Sequence, residues 1–332
     1  MKKQQGFTVI ELMIAMLLGL FLMGGIISIF NSNQQTFRML NGLSTLQDNA
    51  RFAFDTISED VRMAGYMGCL SSINDVNYLN TLNPSTSGYI FDLSTGLTGY
   101  EASGSTWKPT PESYVTDLNP QTGSDILVIR RVEDNGASLT QAMPFPSADL
   151  KSEATTPIAD GEVILVSDCS KATIFQVTNI TTIVDDTEYN VVHNSGTSES
   201  PGNAQQELTN DGSTYDEDAS VYKFRTAVYY IAPSAFPNNQ GNTVLSLWRR
   251  ESLDAPEELI RGVENLSILY GEDLDNSGVP NRYVAASKVG DMNRVVAVNI
   301  SLSVNTVDEV SQDNNLIART FNTTIKIRNR GV

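Results

Sequence analysis

The chain has 332 residues, of which 40% are hydrophobic and 18% charged, enough apolar matter for one large domain or two modest ones. With 22 Lys and Arg against 39 Asp and Glu, the formal net charge is −17. That excludes a general nucleic-acid binder, whose phosphate contacts need basic residues, and a protein lying flat on an anionic bilayer. One histidine, His193, and two cysteines, Cys69 and Cys169, exclude a four-ligand Cys/His zinc site and confine histidine-based catalysis to one position.

Lys2 and Lys3 open the chain. From Phe7 to Phe30 only Thr8, Glu11, Ser28 and three glycines interrupt an apolar run. As a helix that run extends about 36 Å, and about 20 apolar residues cross a bilayer. The two lysines place the N-terminus in the cytoplasm and the bulk of the chain on the far side. A secretory signal peptide has a shorter apolar region and a small-residue exit, which Ser28 to Asn33 matches poorly. A plain anchor fits the length. It leaves Glu11 unexplained, because an ionisable group in lipid is costly and a functional suspect.

The string Gly6-Phe7-Thr8-Val9-Ile10-Glu11-Leu12-Met13-Ile14-Ala15 resembles the processing motif of type IV pilins and pseudopilins. The resemblance implies cleavage between Gly6 and Phe7 by a prepilin peptidase on the cytoplasmic side, and N-methylation of Phe7. It also gives Glu11 an assembly role. A carboxylate out of water needs an opposite charge, and in pilins the matching glutamate meets the terminal amine of a neighbouring subunit. The alternative is a glutamate snorkelling to the head groups.

No proline precedes Pro84. Beyond Phe30 the chain turns polar, but Leu43, Leu46, Ala50, Ala53, Ile57, Val61 and Ala64 recur at intervals of three and four, one apolar face. Gly65 suits a helix C-cap. A helix from Phe7 to Ala64 would be about 87 Å long. Gly24, Gly25 and Gly42 weaken it locally, and a break near Asn31–Asn33 giving two helices is the alternative. The apolar first half suits membrane and then filament core; the one-sided second half suits packing on the protein's own head.

The segment Arg51 to Cys69, with Ala64-Gly65-Tyr66 followed by Gly68-Cys69, resembles the end of the stalk in PilW-type minor pilins. The run Phe321 to Asn329 resembles the last strand of that group. The domains expected are a leader (1–6), a membrane and filament-core helix (7–30), its amphipathic continuation (31–65) and a β-rich head (66–332).

Beyond Cys69, strands are expected at Ile126–Val132, Glu162–Val166, Thr173–Thr178, Val221–Ala232, Val244–Arg249, Arg294–Asn305 and Arg319–Arg328. Val296, Val298, Ile300, Leu302 and Val304 alternate onto the core face. The fold class is α+β, type IV pilin-like: a long N-terminal helix packed on an antiparallel sheet. Ser71 to Pro120 and Asn179 to Ser220 read as variable surface loops. The second carries nine acidic residues and no Lys or Arg, so an acidic docking face is the alternative.

Cys69 and Cys169 lie outside the cytoplasm in this topology, where disulfides persist. A bridge closing about 100 residues contributes about 4–5 kcal/mol on the chain-entropy account; two buried thiols are the alternative. Asp273-Leu274-Asp275-Asn276-Ser277-Gly278 opens like a calcium loop, with Asp273, Asp275 and Ser277 as candidate Ca2+ ligands. Val284 stands where an EF-hand needs glutamate, and an Asx-rich hairpin explains the same residues. His193 lacks a nucleophile-elbow motif, so an anchored hydrolase is a weak rival. Lys326, Arg328 and Arg330 alternate as a solvated face, a contact to acidic neighbours or a local DNA patch.

The reading is a structural protein without catalytic residues: a minor pilin resembling the PilW group. The resemblance implies partners among other minor pilins and the major pilin, the inner-membrane assembly platform and a tip adhesin, with a role in priming assembly and in the tip complex. It also implies an inner-membrane location before assembly and an extracellular pilus afterwards. A J-type pseudopilin of type II secretion and a bitopic extracellular binding module are the rivals.

Overall fold

The computed structural model describes residues 8–70, 77–83, 88–144, 146–183, 187–310, 315–328 and 330. A single helix, α1, runs unbroken over Val9–Arg62, which removes the two-helix alternative. Its 54 residues extend about 81 Å. It closes at Arg62 with Met63 as C-cap, two residues before Gly65. Gly65 turns the chain instead, at φ +72°, and its N–H donates to Arg130 O at 2.8 Å. A Cβ on Gly96 would collide with the Gly65 backbone there.

Seventeen strands follow among the described residues. The first are β1 (Asn77–Asn80), β2 (Leu97–Ser103), β3 (Thr106–Lys108), β4 (Ile126–Val132) and β5 (Ala137–Ser138). Then come β6 (Asp149–Glu153), β7 (Val163–Ser167), β8 (Lys171–Gln176), β9 (Asn179–Ile183), β10 (Glu188–Val192) and β11 (Ser220–Pro233). The last are β12 (Leu245–Glu251), β13 (Glu257–Arg261), β14 (Val263–Glu272), β15 (Arg282–Val284), β16 (Val295–Asn305) and β17 (Ala318–Lys326).

They form three sheets rather than the one expected. The largest has the order β1-β8-β7-β11-β4-β2-β3, with β12 and β13 continuing from β11, and β5 also on β11. Its β1–β8 pair is parallel. A four-stranded sheet is ordered β15-β14-β16-β17, and a three-stranded one β6-β10-β9. β11 is long enough to join two halves: Ser220–Lys223 pair with β7, and Ala227–Pro233 with β12.

The distal half of α1 covers β16, β17, β13 and β4. Leu46, Ala50, Ala53, Ile57, Val61 and Ala64 are buried there against Ile129, Tyr229, Ile268, Ile300 and Leu302, following the three-and-four spacing. Alanine at three of these positions lets the helix lie close on the strands. Gly42 does the same further down: a Cβ would stand 3.3 Å from Thr306 Cγ2 and Val310 Cγ2. Val296, Val298, Ile300, Leu302 and Val304 of β16 are all buried, as alternation requires.

The segment Asn179 to Ser220 is not a surface loop. β9 and β10 lie in it, and Val191, Leu208, Tyr215 and Ala219 join Ile164, Val166 and Phe175 in a second core. Likewise β1, β2 and β3 fall within Ser71 to Pro120. Short strands with polar faces carry little hydrophobic periodicity, and their burial comes from distant strands: β8 for β1, β4 for β2, and β7 and β8 for the second core.

Candidate assembly stalk and its anchor

From Val9 to Phe30 the large apolar side chains of α1 are exposed; Leu20 and Phe21 are 77% and 72% accessible. An 18-residue window of this helix has mean hydropathy 2.5 and buries nothing against the protein. It is long and apolar enough to cross a membrane. A soluble head has no use for so much exposed hydrocarbon, so this half is built for an apolar medium or for other helices.

Gly6 and Phe7, the expected processing and methylation positions, lie outside the described residues. Glu11 begins the helix in a capping box. Glu11 Oε2 accepts the Thr8 N–H and hydroxyl, each at 2.9 Å, and the Thr8 hydroxyl oxygen accepts the Glu11 N–H at 3.4 Å. This satisfies terminal donors that the helix leaves open. It also places a carboxylate one turn from the helix start.

At the other end, a group with no sequence expectation anchors stalk to head. Asp60 is 3% exposed. Its Oδ1 accepts from Arg131 Nε at 3.0 Å and Nη2 at 2.9 Å, and its Oδ2 accepts from the Tyr229 hydroxyl at 2.5 Å. Burial, then the Asp60 charge beside it, pushes the Tyr229 phenol well above its usual range, so it stays a donor. The signal was present as an aspartate between Ile57 and Val61 on the buried stripe; its partners lie 71 and 169 residues away. Just beyond, the Arg328 N–H donates to Arg62 O at 3.0 Å, capping the helix with the chain after β17.

Cys69 and Cys169 form the expected disulfide, with Cα atoms 5.3 Å apart. It ties the helix exit to the turn between β7 and β8, one step from the central strand expected. The candidate calcium residues lie in the β14–β15 hairpin. There Asp273 is buried, and its Oδ1 accepts the N–H groups of Asp275 and Ser277 while Oδ2 accepts that of Gly278 at 2.7 Å. These are the bonds of an Asx-type turn. Among the described residues, no three His, Cys, Asp or Glu side chains are grouped to hold a metal ion. The neighbouring Glu272, also buried, takes Arg282 Nη2 at 2.7 Å and the Gly290 N–H at 2.7 Å.

Lys326, Arg328 and Arg330 do not share one solvated face, because Arg330 Nη1 donates to the carbonyls of Met292 and Val295. His193 is fully buried and packs at 4.9 Å on the Phe175 ring in the second core. Burial pulls its pKa down to about 4 from the ordinary 6.5, against smaller opposing effects that include Asp149. The unfolded chain therefore binds the extra proton between those two values. Stability is fully present above about pH 6.5 and falls as the pH drops toward 4, by about 3 kcal/mol in all. Urea unfolding at pH 7 and pH 4.5 measures the loss, and His193→Phe should remove most of the difference. If wild type and variant keep the same pH slope, the imidazole is not its source.

A membrane-length apolar helix running without a break into a buried anchor on an antiparallel β head is the architecture of a type IV pilin. The family described as "Prokaryotic N-terminal methylation motif" matches residues 1–27. The family described as "Type IV Pilus-assembly protein W" matches residues 228–325, which begin one residue before Tyr229 and end within β17. The two matches, at opposite ends, support a PilW-like minor pilin of the type IV pilus. Both families are structural rather than enzymatic. No curated protein matches the chain.

Proposed function

We propose that this minor pilin takes part in priming pilus assembly and in the complex at the pilus tip, alongside other minor pilins. The observation that carries the reading is the 54-residue helix, half exposed hydrocarbon and half locked to a large head. A head of three sheets crowds a repeating helical array, so the subunit belongs where the array begins rather than along its length. Other minor pilins, the major pilin, the assembly platform and a tip adhesin are the partners this position requires. The subunit waits in the inner membrane and leaves it with the growing pilus.

Glu11 supplies the register. In the capping box its carboxylate is held at the start of the helix, where a neighbouring subunit's free amine at Phe7 completes an ion pair as both leave the bilayer. Glu11→Ala should leave membrane insertion intact and lower the amount of this subunit in sheared pili at least tenfold. Mass spectrometry of the mature chain should show loss of Met1–Gly6 and one added methyl group. Deleting the protein should cut the number of surface pili. An unchanged pilus number, with the protein absent from sheared filaments, would overturn the reading.

A further inference from the structure

β17 ends the four-stranded sheet and, among the described residues, is paired only on its β16 side. The pairing runs without a bulge from Ala297 opposite Lys326 to Asn305 opposite Ala318. Ile327 donates its N–H to Val296 O at 3.0 Å. By the alternation of an antiparallel ladder, the odd-numbered residues of β17 bond to β16, and Thr320, Asn322, Thr324 and Lys326 aim their backbone groups at the open side. The next outward N–H, that of Arg328, is taken by Arg62 O. The helix end thus closes the edge just past the strand and leaves the strand itself open.

Native edge strands are normally guarded by proline, a bulge, shortness or an inward charge. β15, at the other end of this sheet, has three residues. β17 has nine, and the six from Thr320 to Ile325 carry no charge and no proline. The strand is also held straight from its outer face. The Asn299 amide donates to the Thr324 hydroxyl at 2.8 Å, and the hydroxyls of Ser303 and Thr320 are 2.9 Å apart. A regular, preorganised edge whose six central residues carry no such guard is a template for another strand.

Charge selects the occupant. In a chain of net charge −17, no Asp or Glu occurs from Leu316 to Val332, and Arg319, Lys326 and Arg328 are exposed. A second copy fits poorly: antiparallel pairing of two β17 strands centred on Asn322 sets Arg319 opposite Ile325 and Lys326 opposite Ala318, so each end gathers two cations and no acid. We propose that the open edge of β17 accepts, as an added strand, an extended segment of a different polypeptide, an uncharged stretch flanked by acidic residues that reach Arg319 and Lys326. Main-chain hydrogen bonds supply the attachment and the flanking charges supply the choice of partner.

The test uses the full chain in detergent micelles and two fluorescein-labelled eight-residue peptides, Glu-Thr-Val-Thr-Val-Thr-Val-Glu and the same sequence with lysine at both ends. Fluorescence anisotropy should give a Kd at least tenfold lower for the glutamate-flanked peptide. Asn322→Pro removes the outward N–H together with the exposed bond that the Asn322 side-chain oxygen accepts from the Ser301 hydroxyl, and should abolish that binding while the thermal midpoint stays close to wild type. Should Asn322→Pro fail to fold, Arg319→Glu with Lys326→Glu carries the test, because it should reverse the preference between the two peptides. Equal affinities, binding to neither peptide, or a preference that survives the charge reversal overturns the proposal.

Discussion

Replacing Cys69 with serine should destabilise the head by about 4–5 kcal/mol, the largest single loss expected in this molecule. The bridge to Cys169 closes a loop of 100 residues. On the chain-entropy account, a loop of that length restricts the unfolded chain by about 4.7 kcal/mol. It is also the covalent tie between the end of the stalk and the β7–β8 turn. Met67 and Leu70, which leave the helix, otherwise rest on non-covalent packing against Leu165, Ala172 and Ile174. For a domain of this size each kcal/mol moves the midpoint by about 2–4 °C, so calorimetry should record a fall of roughly 10–15 °C. Cys169→Ser and the double variant should lose the same amount, not more, and reducing the wild type should reproduce it. A loss below about 1 kcal/mol would show that native packing holds the helix exit without the bridge.

Asp60→Ala should cost about 3–5 kcal/mol, because it strands buried groups instead of merely deleting a contact. Arg131 and the Tyr229 hydroxyl both point at the lost carboxylate. Asp60→Asn keeps the shape and an acceptor but removes the charge, and should fall between wild type and alanine. The companion variant Arg131→Met leaves Asp60 buried without its cation. The double variant Asp60→Leu with Arg131→Met removes both charges and should be more stable than either single change, the signature of a coupled pair. Limited proteolysis between α1 and β4 reads the same anchor from the functional side: once it is broken, the stalk should separate from the head before the sheets unfold. Additive losses in the double variant would mean that the two groups act independently.

Much of the stalk was legible in order along the chain because its causes are local. The apolar run, the absence of proline and the three-and-four spacing each act within a few residues. They led to a helical stalk whose observed buried positions agree with the spacing, while the unbroken passage through Asn31–Asn33 was settled only by the structure. The alternation of β16 was equally readable, since a strand buried on one face repeats every second residue. Gly65 was misread as the cap because a glycine after the last apolar position has two uses. It allows a helix to end, or it allows two backbones to touch, and here the backbone at Gly96 decides for the second.

The stretch from Asn179 to Ser220 was misread for a different reason. Its two strands are five residues each, and its buried residues Leu208 and Tyr215 stand singly among polar neighbours. Nothing local distinguishes them from loop residues. His193 likewise became a core residue only because Phe175 faces it.

By itself the sequence determined that this chain has a membrane-length rod continuing into a one-sided helix, followed by a strand-rich remainder. Each of these follows from hydropathy and spacing over short distances, where neighbours in the chain are neighbours in space. Only the tertiary structure decided where the rod is bolted to the head, which loops are layers of the core, and which strand edge stays open. Those depend on residues brought together across 71, 100 and 169 positions, and an interaction that distant leaves no periodic trace at either end.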